Sequence, residues 1–195
     1  MTTASVSLPT LKTALPPTPS GFLQAWFAYC PSDQFLELRA IRAGDRIVRQ
    51  HFFTLDAIPE LYWRACELVE EFDCYFGVCP RIRPQGDKAS VTHAPGLWAD
   101  LDFKRFADGE TGALCKLGAF PLPPTWLVAT GGGFHVYWQL KEAVWADVNF
   151  EGRLKGLVKA LNADPAATDR SRVLRIPGSW HQTRNFQVRL IQWPI

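Results

Sequence analysis

The chain has 195 residues, 47% of them hydrophobic and 21% charged, with a formal net charge of +2. This length and composition predict one soluble globular domain with a sizeable core and exclude two large domains. No apolar run reaches the roughly 18 residues that a membrane span needs, and the N-terminus lacks a signal pattern, so we expect a cytoplasmic protein without a membrane partner.

The cysteine content argues against a zinc site or a disulfide framework. The count of five is odd, and no C-x-x-C pair occurs. We therefore expect no structural zinc and interpret the cysteines as buried thiols. They are Cys30, Cys66, Cys74, Cys79 and Cys115.

The first half of the chain alternates predicted helices and strands. A flexible Pro-rich tail is predicted over 1–20, ahead of a single domain over 21–195. Alternation and the "AGD" turn then predict a hairpin, and helical spacing of apolar residues predicts a long helix after it. The predicted elements are a helix over 21–29, strands over 35–41 and 46–53, a helix over 54–72, a strand over 75–81 and a loop over 84–90.

The second half contains most of the predicted strands. An acidic strand over 96–104 is followed by a polar Gly- and Pro-containing stretch over 104–124. Several mainly antiparallel strands with interspersed helices predict an α+β fold. The remaining predicted elements are strands over 125–130 and 134–140 around a Gly turn, a helix over 144–163, a strand and turn over 172–180 and a last strand over 186–194.

The acidic strand, "GLWADLDFK", contains two aspartates that alternation places on one face. Asp100 and Asp102 are separated by one residue, and side chains two apart in a strand point the same way. Two like charges on an apolar element are unfavourable unless something positive lies between them. Either one aspartate caps a turn at the strand end, or both bind a cation.

The next motif, "ATGGGFHVYW", places a histidine directly after three glycines. It lacks the Lys-Ser/Thr of a P-loop and leads into a strand rather than a helix. Such a turn leaves backbone N–H groups free to approach a phosphate. His135, Tyr137 and Gln139 share one face of the strand, so His135 is either a structural hydrogen-bonding residue or a phosphate contact.

The third motif lies in a basic C-terminal segment. From Gly152 onward the chain has eight Lys or Arg against two Asp, which fits either a phosphate-bearing partner or an ordinary solvated surface. The two acids either cap and pair with the arginines or belong to a site. The candidate residues are Asp164, Asp169, Arg172, Arg175, His181 and Arg184.

Together the three motifs have the composition of a two-metal nucleotidyl-transfer site. Carboxylates can hold two Mg²⁺ or Mn²⁺ ions, which activate an attacking 3′-oxygen and stabilise pyrophosphate, and Arg and His can contact a triphosphate. In this order, "WADLD", "TGGGFHVYW" and "DPAATDRSRVLRIPGSWHQ" resemble the signature motifs of the archaeo-eukaryotic primase superfamily, nearest to the primase–polymerases of plasmids, phages and other mobile elements. The resemblance covers about residues 35–184.

The resemblance implies a fold, a function and a role for each motif residue. The fold would pair an N-terminal α/β unit (about 21–95) with an RRM-like sheet (about 96–195). Asp100, Asp102 and Asp164 match metal ligands, with Asp169 as the second choice to Asp164. The residues matching nucleotide-binding positions are His135, Arg172, Arg175, His181 and Arg184.

The implied activity is that of a DNA primase and polymerase using dNTPs or rNTPs on single-stranded DNA, with a helicase or helical accessory domain as a further partner. Two departures weaken the triphosphate assignments. Gly133 stands where the family often has Ser. Gln182 and Thr183 follow His181 where archaeal primases have a Lys nearby, and Arg184 is a possible substitute for that Lys. A non-catalytic initiator domain and a metal-dependent nuclease remain as alternatives.

Overall fold

A computed structural model describes residues 18–191 and residue 193. Within them the chain forms four α-helices and ten strands, with short 3₁₀ turns between some of them. The helices are α1 (Pro19–Phe27), α2 (Ile58–Leu68), α3 (Gly109–Gly118) and α4 (Val148–Leu161). The strands are β1 (Phe35–Ile41), β2 (Val48–Thr54), β3 (Asp73–Gly77), β4 (His93–Asp102), β5 (Trp126–Ala129), β6 (Gly133–Trp145), β7 (Val173–Arg175), β8 (Trp180–His181), β9 (Phe186–Gln187) and β10 (Arg189–Ile191).

The strands form two four-stranded sheets and a small two-stranded one. Sheet A has the order β2-β1-β3-β7, and sheet B has the order β10-β5-β6-β4. Every pairing is antiparallel, including that of β8 with β9. The predicted α+β class with mainly antiparallel strands is therefore confirmed.

Sheet A does not come from the N-terminal half of the chain alone. Its edge strand β7 follows α4 in the sequence and pairs with β3, so that Tyr75 lies opposite Arg175. The third motif is thereby placed against the N-terminal unit, and the two units overlap in sequence.

The larger core lies between the two sheets and includes α1 and α2. Its centre is aromatic: the rings of Phe22 and Trp26 in α1 each pack within 5.2 Å of Tyr137 in β6. Trp26 also donates from Nε1 to the Val78 carbonyl at 2.9 Å, which satisfies the buried indole nitrogen. A Cβ at Gly96 would collide with the Trp26 ring, so β4 needs glycine there.

A second core packs α3 and the C-terminal half of α4 against the opposite face of sheet B, whereas Phe150 and Leu154 of α4 belong to the first core. Ala99, Leu101, Phe134 and Val136 point into it. The intervening residues Trp98, Asp100, Asp102, His135 and Tyr137 therefore face the other side, because side chains alternate along a strand. The candidate site thus lies on the face of sheet B opposite to α3 and the second core.

The sequence predicted most elements, with errors at their ends and one omission. The stretch over 104–124, predicted without a helix, contains α3. Only Ala113 and Leu117 of that helix are buried, and it contains three glycines, so its apolar pattern is weak. The strand and turn predicted over 172–180 correspond to β7 and the Pro-Gly turn, and a second short strand, β8, follows the turn. The predicted last strand divides into β9 and β10.

The predicted Pro-rich tail falls mostly on residues 1–17, which lie outside the described residues. Its last residues are not a tail, because Thr18 caps α1 and Pro19 is the first helical residue. No helix within 18–191 is long and apolar enough to cross a membrane.

The prediction of five buried thiols was wrong in part: Cys74 and Cys79 are buried, but Cys30 is only partly buried and Cys66 and Cys115 are exposed.

Candidate active site

Strand β4 ends with the two aspartates of the first motif. Asp100 and Asp102 lie on one face, as alternation predicts, and Asp102 is the last residue of the strand. The strand is anchored just before them, where Trp98 donates from Nε1 to the Ala167 carbonyl at 2.7 Å. The side chain of Asp102 contacts a residue that we had not singled out, because Lys104 Nζ lies 2.6 Å from its Oδ2.

Strand β6 brings the histidine of the second motif next to these acids. His135 is paired with Asp100 in the antiparallel register, and its Nε2 lies 3.9 Å from Asp100 Oδ1. Its Nδ1 is buried and has no hydrogen-bond partner among the described residues. Gly133 pairs with Asp102, and a Cβ there would clash with the Leu101 carbonyl. This close approach explains why the position that is often Ser in the resembled family is glycine here.

The two acids of the third motif lie in different places. The Asp164 backbone N–H donates to the Asp100 carbonyl at 2.8 Å, which fixes the two residues side by side. Asp169 instead accepts a hydrogen bond from the Ser171 N–H at 2.7 Å and lies 3.4 Å from Lys88 Nζ. Of the two, it is Asp164 that the fold places beside Asp100.

Arg172 lies between the acids of the first and third motifs. Its Nη2 is 4.0 Å from Asp100 Oδ2 and 4.0 Å from Asp164 Oδ2. Its Nε is buried and unpartnered within the described part of the chain. The residue is held through its backbone, because its carbonyl accepts from the Val78 N–H at 3.0 Å.

Burial and charge shift the protonation of the central pair. The pKa of Asp100 is raised to about 6, mainly by burial and further by the negative charges of Asp164 and Asp102, although Arg172 opposes the shift. The pKa of His135 is well below its usual value, because the ring is buried and faces positive charges on Arg175 and Arg172. His135 is therefore neutral at pH 7, and Asp100 is mostly ionised.

Arg175, the second arginine of the motif, already has an acidic partner. Its Nη2 donates to Asp73 Oδ2 at 3.2 Å, and its Nη1 lies 2.7 Å from Oδ1. Its guanidinium also stacks on the Tyr75 ring, 4.8 Å from the centroid. Its charge still reaches Asp100 and His135, as their pKa shifts show, but its side chain is held by sheet A.

The residues after β8 pack around the glycine turn of the second motif. His181 Nδ1 lies 2.7 Å from the Thr130 carbonyl and donates to it when that nitrogen is protonated. Arg184 is exposed and lies against Gly132, where a Cβ would strike its guanidinium. Gln182 points elsewhere: its N–H donates to Asp73 Oδ1 at 2.8 Å, and its side-chain amide donates to the Val69 carbonyl. Arg184, the possible substitute for the lysine of archaeal primases, therefore lies beside the glycine turn, whereas Gln182 is bound to Asp73 and Val69.

No family model matches this chain, and no curated protein matches it. Solved structures do. The primase–polymerase archaeo-eukaryotic primase domain of cyanophage S-2L aligns with a TM-score of 0.66 at 18% identity, over 89% of this chain and 88% of that one. The catalytic domain of primase RepB′ in complex with initiator DNA aligns with a TM-score of 0.57 at 13% identity, over 89% and 84% of the two chains.

The chain has the archaeo-eukaryotic primase fold. Identity below 20% makes this a statement about the fold, which confirms the architecture that the three sequence motifs implied.

On this fold, three carboxylates could serve as ligands for divalent ions. Asp100, Asp102 and Asp164 offer only oxygen donors, which suit Mg²⁺ or Mn²⁺. Between residues 18 and 191, however, no three His, Cys, Asp or Glu side chains are close enough to enclose a metal ion. Arg172 and Lys104 contact the carboxylates instead. The carboxylate oxygens are therefore the type of ligand that these ions prefer. In this structure the positive charges of Arg172 and Lys104 balance the negative charges of the carboxylates.

Sequence reasoning missed two residues of the primase fold's site region. Lys104 follows the D-x-D motif by two residues, and its charge beside two acids was a usable signal. Asp73 is buried at the start of β3 and holds both Arg175 and Gln182. Nothing local distinguishes Asp73, because its role depends on the pairing of β3 with β7, which are about 100 residues apart.

Proposed function

We propose that the chain is a DNA primase–polymerase. It would transfer a nucleotidyl group from a dNTP or rNTP to a primer, or to an initiating nucleotide, on a single-stranded DNA template. The observation that carries this proposal is the meeting of Asp100, Asp164, His135 and Arg172 where the two sheets join. The fold supports it, since the two similar structures are described as primases.

In this proposal Asp100, Asp102 and Asp164 hold two divalent ions. Such ions activate the attacking hydroxyl and stabilise the departing pyrophosphate. The pKa of Asp100 is raised mainly by burial and further by the negative charges of Asp164 and Asp102, and Arg172 opposes the shift without cancelling it. A further cation at this place would stabilise the ionised carboxylate. Lys104 would release Asp102 when the ions bind.

His135 and Arg172 would bind the triphosphate of the incoming nucleotide. Among residues 18–191, each has a buried nitrogen without a hydrogen-bond partner, and a buried donor without an acceptor is costly. Phosphate oxygens would satisfy both donors. His135, being neutral, contributes one N–H hydrogen bond, whereas Arg172 contributes charge. His181 and Arg184 lie at the glycine turn, where they could make further contacts to the triphosphate. Arg175, held by Asp73, would contribute its positive charge from a distance.

A synthesis assay on single-stranded DNA, with dNTPs or rNTPs and with Mg²⁺ or Mn²⁺, tests the proposal. We expect metal-dependent incorporation that Asp100→Ala abolishes. His135→Ala should weaken nucleotide use roughly ten- to a hundredfold, as expected for a lost phosphate contact of about 1.5–3 kcal/mol, and leave DNA affinity nearly unchanged.

Two results would contradict the proposal. Release of nucleotides from DNA without added dNTPs would indicate a nuclease. DNA binding without any incorporation, in either metal and with every nucleotide, would indicate a non-catalytic initiator domain.

A further inference from the structure

The solvent side of α4 carries two lysines one helical turn apart. Lys155 and Lys159 are exposed and separated by four residues, which places them on the same side of the helix. Like charges at this spacing oppose each other and weaken a helix slightly. Glu151, four residues before Lys155, does not compensate, because it is buried and its carboxylate binds Lys88 at 2.7 Å.

Two further cations connect this helix to the candidate site. Arg105 Nε donates to the Asn162 carbonyl at 2.9 Å, and Asn162 Nδ2 donates back to the Arg105 carbonyl at 2.8 Å. Asn162 follows the last residue of α4, three positions after Lys159. Lys104, next to Arg105, has a side chain that is 77% exposed and contacts Asp102. We call Lys155, Lys159, Arg105 and Lys104 the basic path.

The basic path is weakly neutralised. Across residues 18–191, Arg105, Lys155 and Lys159 form no ion pair, and only Lys104 has an acidic partner. The acids that follow Arg105 most closely in sequence, Asp108 and Glu110, make no ion pair with these cations. A row of unpaired cations that ends at the candidate catalytic acids matches the charge of a phosphodiester backbone.

We propose that a single DNA strand entering or leaving the site lies along the basic path and is bound through its phosphates. The choice of a DNA strand rests on the proposed function. The path runs from the solvent side of α4 to the acidic end of β4, through Arg105 at the end of the helix and Lys104 beside Asp102. Its contacts are to the backbone, so they carry no sequence preference.

The salt dependence of binding tests this directly. A labelled oligonucleotide of about 20 nucleotides is titrated by fluorescence anisotropy at several salt concentrations, without nucleotide and with EDTA. Each phosphate contact contributes about 0.7 to the slope of log K against log salt for a single strand, so Lys155→Gln/Lys159→Gln should lower the slope by about 1.4. With equal affinities at 1 M salt, this corresponds to roughly 25-fold weaker binding at 0.1 M salt.

A matched control has the same change in charge elsewhere on the surface. Arg153→Gln/Lys141→Gln removes two exposed cations, one on another side of α4 and one on β6, and should keep the wild-type slope. Adding Arg105→Gln to the test variant should lower the slope by about 0.7 more. Thermal melting of each variant verifies folding, and within residues 18–191 the side chains of Lys155 and Lys159 make no hydrogen bond or ion pair that the substitutions would remove.

Equal slopes for the test and control variants would overturn the inference. The measurement does not require synthesis, so its failure can be distinguished from that of the proposed function. If the test variant changes the slope but the protein incorporates no nucleotide, the basic path is supported and the polymerase assignment is contradicted. If the protein is an active polymerase but the slope is unchanged, the polymerase assignment is supported and the basic path is contradicted.

Discussion

At the scale of single residues, Asp100 combines burial with two acidic neighbours. Its pKa of about 6 lies above the ordinary value of 3.8, so the folded chain binds a proton more readily than the unfolded chain. Stability from this group is therefore greatest below about pH 4 and is lost as the pH rises through 6. The ionised aspartate is a cost to the metal-free fold, and in the proposed function a bound cation would offset that cost.

Asp100→Asn should therefore stabilise the metal-free protein at pH 7.5 and have little effect at pH 4. A shift of this size corresponds to at most about 3 kcal/mol, or roughly 2–10 °C in melting temperature for a chain of this length. Melting curves in EDTA at both pH values measure the difference. Equal destabilisation at both would show that the buried carboxylate is satisfied without a cation.

The positions of Asp164 and Asp169 predict different phenotypes. Asp164→Asn removes a carboxylate beside Asp100 and should abolish metal-dependent incorporation. Asp169→Asn weakens contacts to Ser171 and Lys88 away from Asp100, so measurable activity should remain. Primer-extension rates at saturating nucleotide compare the two. The opposite ranking would assign the metal to Asp169.

At the scale of elements, alternation within strands was the most reliable signal in the sequence. It placed Asp100 and Asp102 on one face of their strand and His135 on the polar face of its own strand without any tertiary information. The pairing of these two strands, which brings His135 next to Asp100, has no such local signal. The arginine spacing was harder, because two arginines three apart in one strand would face opposite sides. Strand β7 is only three residues long and begins after Arg172. The direction of the Arg172 side chain therefore depends on the local backbone conformation and not on alternation within the strand. The position of Arg175 depends on the pairing of β7 with β3, and the sequence carries no local signal for a pairing between such distant segments.

Asp73 at the start of β3 links two such elements and should therefore position Arg175 and the turn after β8. Asp73→Asn keeps an oxygen that can accept from the Gln182 N–H but removes the charge that holds Arg175. We expect the free energy of unfolding to fall by about 1–3 kcal/mol and the nucleotide KM to rise roughly tenfold.

Urea unfolding and nucleotide titration of the same Asp73→Asn preparation separate the two effects. A lower free energy of unfolding together with an unchanged KM would show that Asp73 supports the fold and does not position the nucleotide-binding residues.

At the scale of the whole molecule, a buried ion pair connects sheet A to the third motif. Glu37 and Arg81 are both fully buried, with Arg81 Nη2 2.7 Å from Glu37 Oε2. The same Nη2 donates to the Ser171 carbonyl at 2.9 Å, directly before Arg172. The sequence showed Glu37 and Arg81 only as charges in apolar segments, because their partnership depends on how β1 meets the segment after β3.

Removing one or both charges of this pair should separate stability from nucleotide binding. Arg81→Met leaves Glu37 buried without its main partner and should cost about 3–5 kcal/mol. Glu37→Leu/Arg81→Met removes both charges and should recover most of that loss, since the Arg39 side chain that also contacts Glu37 is partly exposed and can turn to solvent. The double variant still lacks the donor to the Ser171 carbonyl, so Arg172 is less firmly held and the nucleotide KM should stay about tenfold above wild type. Chemical denaturation and steady-state kinetics on both variants test this. Recovery of KM together with stability would show that the pair supports the fold alone and that Arg172 is positioned by its other contacts.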